Sequence, residues 1–554
     1  MKMIRICRNV TATILSLSFV SCASGRNPQA SVQDRNTTAS SSGRDPAPPA
    51  VLLDTTYPAT AGRTIPVGGG EANRAARAFQ GALDSARPGD VIALEAGGRF
   101  EGNFKLPKKE GAGWVVIRSS ASDDKLPPAG TRIGPSYAPL LPKLVSPNAD
   151  AVVSTAPGAH HYRFVGVEFT TKSGWAQNHG LILLGDGGAS QDSPEDVPHN
   201  LIIDRCYIHG DANINLRRAV ALNSGTAAII DSFIADVHEA GADSQAICGW
   251  NGPGPFKIVN NYLEAAGENV MFGGADPKIR NLVPSDIEFR LNHCSKPLNW
   301  MHRDPSFAGK RWSVKNLFEL KNARRVMIDG NLFEHNWVEA QSGFGILFTV
   351  RNQEGTAPWS VVEDISFTNN IVRRSAAGVN LLGRDDNNQS EQVKRVLIRN
   401  NLFDDVGGTR WGKNGRFLQI TETVDVTVDH NTILHSGNII TAYGTANAGF
   451  VFTNNIAAHN EYGVIGDGAS VGNASLDRYF PARVFRKNVI AGGKNSIYPS
   501  ENFFPPALDA VFADRAAGNF SLKPSSPYKN AATDGKNIGC DITELNAAMS
   551  SAQQ

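Results

Sequence analysis

Three features of the sequence predict that the chain folds as one long all-β solenoid. From about residue 160 onward one short pattern returns: alternating apolar residues, a polar pair that is often Asn-Asn, one variable position and another apolar residue. Successive copies lie roughly 24 to 39 residues apart, the range typical of solenoid proteins. The 554 residues include 54 glycines and 8% aromatic residues, which suits a fold with many tight turns and thin apolar layers.

The copies of the pattern predict the strands and corners of the solenoid. The alternating residues form strands whose inward side chains stack on the coil above. Asn tolerates a left-handed backbone and can bond neighbouring backbone through its amide, so stacked Asn residues should satisfy one another in a buried ladder at each corner. The copies occupy residues 202–208, 229–234, 258–263, 289–294, 326–333, 367–372, 396–403, 426–433, 451–456 and 484–490.

A second series of strands follows the corners and is expected to form one continuous parallel sheet. A β-propeller, the rival all-β fold, requires four antiparallel strands per blade at a regular period. The irregular spacing and the two or three short strands per repeat do not fit a propeller. The second series occupies residues 245–248, 269–272, 345–348, 379–382, 417–420 and 439–442.

The two ends of the repeat region strengthen this prediction. Residues 71–86 place small and apolar side chains on one helical stripe, and residues 87–94, Arg-Pro-Gly-Asp-Val-Ile-Ala-Leu, form a turn into the first strand. Together with the Asn repeat and the ending at residues 534–541, this opening resembles the pectate-lyase-like, right-handed parallel β-helix superfamily. The resemblance implies a single-stranded right-handed parallel β-helix with an N-terminal capping helix. It does not fix the reaction, because this scaffold carries lyases, hydrolases, epimerases, esterases and adhesins.

The N-terminus predicts export. Lys2, Arg5 and Arg8 precede an apolar run that is too short to span a bilayer, as in a signal peptide. The run ends in Phe-Val-Ser-Cys, which resembles a bacterial lipobox and makes Cys22 the predicted site of lipidation. The alternative is an ordinary secretory signal with an incidental cysteine. We therefore expect a cell-envelope lipoprotein, or else a secreted or periplasmic protein.

Composition divides the chain into four segments. We predict a signal peptide over residues 1–22, a disordered Ser/Pro/Gly-rich tether over 23–55, the β-helix domain over 56–545 and a C-terminal tail over 546–554. The six cysteines show neither a disulfide framework nor a metal-ligand spacing.

The charge balance limits the partners of the protein. The formal net charge is +1, which gives no global attraction to nucleic acid or to an anionic membrane. We expect a monomer that binds a polysaccharide and does not bind nucleic acid. We expect it to contact a membrane only through the lipid anchor.

Charged residues gather just past the C-terminal ends of the second strand series. Coils stack about one strand spacing apart, so side chains of adjacent coils can converge on one sugar chain. The alternative is that these are solvated turn residues. They include Asp276, His302, Arg303, Asp304, Arg351, Glu354, Arg384, Asp385, Asp386 and Glu422.

The two longest coils, which meet at Asn331, should carry loops that form walls beside this edge. Cationic groups suit the carboxylates or sulfates of a glycan, and indole faces suit its rings. The alternative for each tryptophan is packing inside a loop. The predicted substrate-binding residues are Lys296, His302, Arg303, Trp312, Trp337 and Arg384.

Residues 313–322 predict a catalytic ridge. Their alternation turns Phe318 and Leu320 one way and Lys315, Glu319 and Lys321 the other. A lyase that acts on uronic acids needs a base for the proton α to the carboxyl group and positive charge, or Ca²⁺, to stabilise the enolate.

We therefore predict Lys315 or Lys321 as the base, with Glu319 beside them, and Arg351 or Arg384 as the group that neutralises the substrate carboxylate. Exposed Lys and Glu on a strand are, alternatively, a surface ion pair.

Calcium is a further expectation. β-Helix polysaccharide lyases commonly combine a Lys or Arg base with acidic Ca²⁺ ligands, and Asp243, Glu268 and Asp276 can offer oxygen ligands here. No loop has the spacing of an EF-hand.

Two other functions remain open. A glycoside hydrolase needs two carboxylates about 5 to 9.5 Å apart, which Asp304, Glu354, Asp385, Asp386 and Glu422 can supply. A noncatalytic surface lipoprotein would bind glycan along one rigid face without forming a product.

We predict that Cys22→Ser leaves the protein exported but not retained in the membrane, because one thiol receives the lipid and the predicted tether has no other apolar anchor. Fractionation of cells that express the parent and the variant measures this. Equal membrane retention of both would contradict lipidation at Cys22.

Overall fold

The computed structural model describes residues 45–111 and 113–550. The predicted signal peptide, Cys22, residues 23–44 of the predicted tether and residues 551–554 lie outside the described residues. Within them, no helix is long and apolar enough to cross a membrane.

Three long parallel sheets, here called sheets 1, 2 and 3, contain most strands of the described chain. Sheet 1 has the 14 strands Thr64–Val67, Val91–Leu94, Val115–Ser119, His160–Val165, His199–Asp204, Gly225–Ile230, Gly254–Val259, Ser285–Arg290, Ala323–Asp329, Val362–Thr368, Lys394–Arg399, Val424–Asp429, Val451–Thr453 and Val484–Arg486. Sheet 2 has the 13 strands Arg99–Glu101, Lys143–Ser146, Glu168–Thr171, Tyr207–His209, Phe233–Val237, Tyr262–Ala265, His293–Ser295, Leu332–Asn336, Ile371–Ser375, Leu402–Val406, Thr432–His435, Ile456–Ala458 and Val489–Ala491. Sheet 3 has the 12 strands Phe104–Leu106, Val153–Thr155, Ile182–Leu184, Arg218–Leu222, Gln245–Gly249, Glu268–Phe272, Asn316–Leu320, Phe344–Thr349, Ala377–Leu382, Leu418–Thr421, Ile440–Ala442 and Val464–Gly466.

The remaining elements are short. One small parallel pair joins Gln177–Asn178 to Asn215–Leu216, and one antiparallel pair joins Phe512–Asp514 to Asn519–Leu522. The α-helices are Ala72–Ser85, Gly408–Trp411, Asn473–Tyr479 and Ile542–Ala548. Short 3₁₀ turns cover Asp123–Lys125, Pro135–Leu140, Pro194–Asp196, Leu298–Trp300 and Leu508–Ala510.

The sheet topology confirms the predicted parallel β-helix. Each coil passes from sheet 1 to sheet 2, then to sheet 3 and back to sheet 1, and neighbouring strands within each sheet are parallel. The strand Ala323–Asp329, for example, pairs with Ser285–Arg290 on one side and with Val362–Thr368 on the other. The repeat that defines the sequence pattern is the sheet 1 strand with its corner, and the predicted second series is sheet 3.

The predicted Asn ladder stands at the corner between sheets 1 and 2. Each side-chain oxygen accepts hydrogen bonds from the backbone and the amide of the preceding Asn. The backbone nitrogen of Asn370 lies 2.9 Å from Asn401 Oδ1, and Asn370 Nδ2 lies 3.1 Å from the same atom and 3.0 Å from the carbonyl oxygen of Ile328. The ladder comprises Asn261, Asn292, Asn331, Asn370, Asn401, Asn431, Asn455, Asn488 and Asn502, all buried.

The two residues of each polar pair have different roles. The first residue takes the left-handed backbone conformation, as at Asn369 with φ 55° and Asn400 with φ 55°. The second residue makes the ladder. Toward the N-terminus Ser232 takes the ladder position, where its backbone nitrogen donates to Asn261 Oδ1 at 2.9 Å.

The first coil is covered by the helix Ala72–Ser85. Phe79 is buried, and its ring centroid lies 4.7 Å from that of Phe104 and 6.0 Å from that of Phe100, both in the first coil. Apolar residues of the helix therefore continue the inner core at that end.

The end of the predicted tether differs from the expectation of disorder. Residues 47–56, here called the N-terminal strap, lie along the outer face of sheet 1 and cross its strands. Ala47 donates its backbone N–H to Asp364 at 3.0 Å, and Ala50 donates to Asp286 at 2.7 Å. Further on, the carbonyl oxygens of Leu53 and Thr55 accept from Lys257 and Arg163. Charged side chains of successive coils thus satisfy the strap's backbone.

The C-terminal boundary also differs from the prediction. Residues 546–549 continue the helix Ile542–Ala548 and end in Met549, which is buried with Leu545 against Leu332, Ile371 and Leu402. The packed domain therefore extends beyond residue 545.

We predict that Asn370→Leu strongly destabilises the fold, because it removes the acceptor of Asn331 and leaves buried groups unpaired, each costing about 1 to 3 kcal/mol. Urea unfolding measures the change, with Asn387→Leu in an exposed loop as the control. Equal unfolding free energies for the two variants would contradict a supporting role for the ladder.

Candidate active site

The predicted catalytic residues lie on or beside sheet 3. Glu319 belongs to the strand Asn316–Leu320 and pairs in register with Met271 on one side and Leu347 on the other. Lys315 precedes this strand and Lys321 follows it. The loop before the strand starts at Lys296, and loops that follow neighbouring strands carry Asp276 and Arg351.

Five charged residues form one cluster, here called the carboxylate–lysine cluster: Asp243, Glu268, Lys315, Glu319 and Lys321. Lys315 Nζ lies 2.5 Å from Asp243 Oδ1 and 3.3 Å from Glu268 Oε1. Lys321 Nζ lies 3.6 Å from Glu319 Oε1. The cluster therefore draws its members from consecutive coils.

Two buried amides support the carboxylates of the cluster. Gln245 donates from Nε2 to Glu268 Oε2 at 2.7 Å, and Asn316 donates from Nδ2 to Glu319 Oε2 at 2.9 Å. Gln245, Glu268 and Asn316 are register partners at the starts of three adjacent strands. Neither amide is among the residues predicted from the sequence. Both stand at the first position of a sheet 3 strand, so aligning the starts of these strands places them in one row.

The cluster is layered. The side chains of Glu268 and Glu319 are 0% and 3% exposed, whereas those of Lys315 and Lys321 are 16% and 15% exposed. The prediction that Glu319 shares an exposed ridge with the lysines is therefore wrong, because Glu319 is buried between Asn316 and Thr349. Solvent therefore reaches the two lysines and Asp243, whose side chain is 39% exposed, but not the two glutamates.

Burial and neighbouring charges shift the pKa values in the cluster. Burial, and then the charge of Glu319, raise the pKa of Glu268 above its usual range. Burial alone would lower the pKa of Lys315, but Glu268 and Asp243 outweigh it and raise that pKa. Lys315 is therefore held in its charged form.

A pair of glycines makes room for Lys321. Gly273 and Gly274 have φ values of 90° and 88°, and a Cβ atom at Gly273 would lie 2.6 Å from the backbone nitrogen of Asn322 and 2.9 Å from Lys321 Cβ. Only glycine fits this approach without displacing the strand end that carries Lys321.

The three predicted calcium ligands do not share one site. Asp243 and Glu268 meet around Lys315, whose ammonium already neutralises them. Asp276 lies beyond the other end of the strand Glu268–Phe272, where it accepts from the backbone and hydroxyl of Thr356 at 2.8 and 2.9 Å. The described residues contain no group of three or more His, Cys, Asp or Glu side chains arranged to hold a metal. These residues therefore do not fit a calcium ion.

Arg351 lies next to the cluster at the C-terminal edge of sheet 3. Its backbone nitrogen donates to the carbonyl oxygen of Lys321 at 2.9 Å. Its guanidinium lies 3.0 Å from Asp385 Oδ1 and 2.5 Å from Asp386 Oδ1. Burial works against the charge of Arg351, but the two aspartates outweigh it and raise the pKa of Arg351. Arg384, one coil further, pairs with Glu422 at 3.3 Å.

The predicted wall residues divide into two groups. His302 is half-buried beside Glu339 at 3.2 Å, and Arg303 donates to the His302 ring at 3.1 Å. Trp312 and Trp337 are buried with the other tryptophans of these loops, and Trp312 stacks on His238 with centroids 3.7 Å apart. The prediction that their faces receive sugar rings is therefore corrected: the loops fold over them and form a small core.

Lys296 also differs from its predicted substrate-binding role, since it is fully buried. Its ammonium lies 2.7 to 3.0 Å from the carbonyl oxygens of Ala265, Ala266, Gly267 and Asn316 and from Asn269 Oδ1. Burial lowers the pKa of Lys296 to about 7, while the nearby charge of Glu268 opposes that shift. Lys296 joins the loop to the starts of the strands that carry Glu268 and Glu319.

We predict that Lys296→Met lowers the free energy of unfolding by several kcal/mol, because it leaves several buried oxygens unsatisfied at about 1 to 3 kcal/mol each. Urea unfolding measures this, and Lys310→Met in the same loop is the control. A Lys296→Met protein as stable as the control would contradict this structural role.

The known proteins that are similar to this chain resemble it only weakly. No protein-family model and no curated protein matches the sequence. Similar solved structures include the PL6 family alginate lyase AlyGC, at 12% identity over 86% of this chain and 57% of that chain with a TM-score of 0.44. The PL6 family polysaccharide lyase Pedsa3628 from Pseudopedobacter saltans is 14% identical over 86% of this chain and 100% of that chain, with a TM-score of 0.40. Pectate lyase Pel9A is 13% identical over 86% of this chain and 96% of that chain, with a TM-score of 0.35. The chain thus spans little more than half the length of AlyGC.

Proposed function

We propose that the protein is a lyase that cleaves a uronic-acid-containing polysaccharide by β-elimination at the carboxylate–lysine cluster. The observation that carries the proposal is the layering of the cluster: its two lysines reach solvent while the carboxylates of Glu268 and Glu319 lie beneath them. The two lysines on this face suit an acidic sugar. Asp243, whose side chain is 39% exposed beside Lys315, is the one carboxylate of the cluster that solvent also reaches.

Lys315 has the role of neutralising the substrate carboxylate. Asp243 and Glu268 fix its ammonium in position and keep it protonated. A positive charge against the sugar carboxylate stabilises the enolate that forms when the α proton leaves, and such preorganised charge acts strongly in a partly buried site.

Lys321 has the role of the base. In its neutral form it takes the proton α to the carboxylate, and the α–β double bond forms as the bond from the β carbon to the glycosidic oxygen breaks. The departing oxygen takes up a proton from water or from the protonated Lys321. Glu319, 3.6 Å below, orients the Lys321 side chain, and Gly273 gives its stem room.

Arg351 lies one coil beyond Lys321 at the same edge of sheet 3. Asp385 and Asp386 both contact one terminal nitrogen, NH1, and hold the guanidinium in place. The planar guanidinium suits a second sugar carboxylate, which would fix the register of the polymer on the face.

A glycoside hydrolase is less well supported by the geometry. Its two carboxylates must reach the scissile bond, but Glu268 and Glu319 are buried under the lysines. Among the other candidates, Asp385 is occupied by Arg351 and the Asn352 backbone, and Asp304 by Ser306 and Arg410. Alginate and pectate lyases are among the proteins that share the fold, and the proposal assigns this chain a substrate of the same general class.

Incubation with a panel of acidic polysaccharides tests the reaction type. A lyase releases unsaturated ends that absorb in the ultraviolet, whereas a hydrolase releases reducing ends without that absorption. Glycan binding without any product would instead support a noncatalytic surface protein. A parallel incubation with a chelator tests the calcium expectation, and we expect no loss of activity because the predicted ligands do not fit the ion.

We predict that Lys321→Ala and Arg351→Ala each abolish turnover while the protein stays folded, because both side chains reach solvent and neither fills the inner core. The value of kcat should fall far more than KM rises, since their roles concern the transition state. Steady-state kinetics, with circular dichroism as a folding check, measures this.

The matched control is Lys394→Ala. Lys394 is also a partly exposed strand lysine paired with a carboxylate, Glu363 at 3.1 Å, but it lies on sheet 1. Parent-like activity in all three variants would place catalysis elsewhere, with Asp304, Asp385 and Glu422 next to be tested.

A further inference from the structure

A cavity of about 650 Å³ lies on sheet 3, on the N-terminal side of the carboxylate–lysine cluster. We infer that this cavity binds a further acidic sugar unit of the polysaccharide and that Arg218 binds its carboxylate. The inference rests on the proposed substrate class and extends the site along the fold.

The cavity and the cluster share one continuous row of register partners. Between Ala221, which lines the cavity, and Glu319 lie three strand spacings, about 14 Å. The intervening positions hold Cys248 and Met271, so no charged side chain interrupts the row there. A polymer that lies along sheet 3 can therefore occupy both places. The row is Lys105, Ser154, Leu183, Ala221, Cys248, Met271 and Glu319.

Arg218 is the residue of the cavity that we expect to bind an anionic group. Its Nε is buried and has no hydrogen-bond partner among the residues that the structure describes, while the side chain also lies within hydrogen-bonding range of the buried Cys248 thiol. A charged donor gains more from a charged acceptor than from a thiol or a ring face, so a ligand carboxylate would be the stronger partner. The forked guanidinium matches a carboxylate in particular.

The position of Arg218 is fixed from two sides. Its guanidinium carbon lies 5.2 Å from the centre of the Trp250 ring, within the range of a cation–π contact. The indole is itself held, since Trp250 Nε1 donates to the carbonyl oxygen of Gly187 at 3.1 Å and Gly187 has no side chain to displace the ring. On the other side Arg218 pairs in register with Gln245, which donates to Glu268 of the cluster.

The other charges in the cavity favour a sugar over a compact polyanion. Asp150, Asp186 and Asp196 also line it, together with one further cation, Lys105. Carboxylates accept hydrogen bonds from sugar hydroxyls but repel a phosphate or a sulfate cluster. One guanidinium with several acceptors therefore suits a unit with one carboxylate and several hydroxyls.

The test compares acidic oligosaccharides of increasing length, prepared from the polysaccharide that the protein turns over or binds. For oligosaccharides that reach the cavity, Arg218→Ala should raise KM about 10-fold or more, the loss of one hydrogen bond to a charged group, with little change in kcat. For the shortest oligosaccharides KM should stay unchanged. Arg218→Lys, which keeps the charge but not the fork, should give an intermediate KM, and Arg290→Ala on sheet 1 should behave like the parent.

Calorimetric titration of the same oligosaccharides separates this inference from the proposed function. Carboxyl-reduced oligosaccharides should bind the parent and Arg218→Ala with equal affinity, because they carry no carboxylate for Arg218 to bind. Equal affinities of the parent and Arg218→Ala for every length would overturn the sugar subsite, even if the lyase reaction stands. Length-dependent binding that requires Arg218, without any unsaturated product, would support the subsite while the reaction fails.

Discussion

The hydrogen bonds that hold each coil in register on the next determine every other feature of the molecule. In a strand, a shift of one residue turns every side chain to the opposite face. The Asn ladder sets this register at the corner between sheets 1 and 2, because each amide fits only when it lies directly on the next one. The positions of Glu319 and Lys321 on the outer side of sheet 3 thus depend on the register that the Asn corner between sheets 1 and 2 sets.

The carboxylate–lysine cluster follows from this stacking, and it is not explained by stability. Charges taken from water into a protein lose hydration, and their mutual attraction often does no more than repay that loss. Here two carboxylates are buried beside two lysines, at the starts and ends of adjacent strands, and hydrophobic residues would fill the same positions at lower cost. Strongly perturbed ionisable groups at a surface groove are typical of functional sites. The short spacing between coils is what allows residues far apart in sequence, such as Asp243 and Lys315, to share one ion pair.

The sequence predicts those parts of the structure that repeat. It does not predict the burial or the position of a side chain that depends on a single long-range contact. The strands of sheets 1 and 3 and the Asn corner follow from periodicity, and so does the grouping of Lys315, Glu319 and Lys321. The burial of Glu319 does not, because it depends on Asn316 and Thr349 from neighbouring positions. Trp312, Trp337 and Lys296 carry sugar-binding chemistry in sequence, yet the loops that hold them fold inward. The position of Asn370 and Asn401 recurs as Asn in successive coils, so the sequence shows their partners. Lys296 has no equivalent in other coils, so the sequence does not show the five oxygen atoms that surround its ammonium.

The N-terminal strap places the earliest part of the described chain against some of its later strands. Ala47 bonds to Asp364, 317 residues away, and the intervening strap residues bond to strands in between. Those side chains stand in line only after the coils that carry them have stacked, so the strap can dock only at a late stage of folding. Contacts between residues so far apart in sequence form slowly, because the chain loses the entropy of loop closure before the contact contributes any stability. Docking of residue 47 therefore requires that the coils from Arg163 to Asp364 have formed. In an incompletely folded chain the N-terminal strap stays undocked and is exposed to proteases.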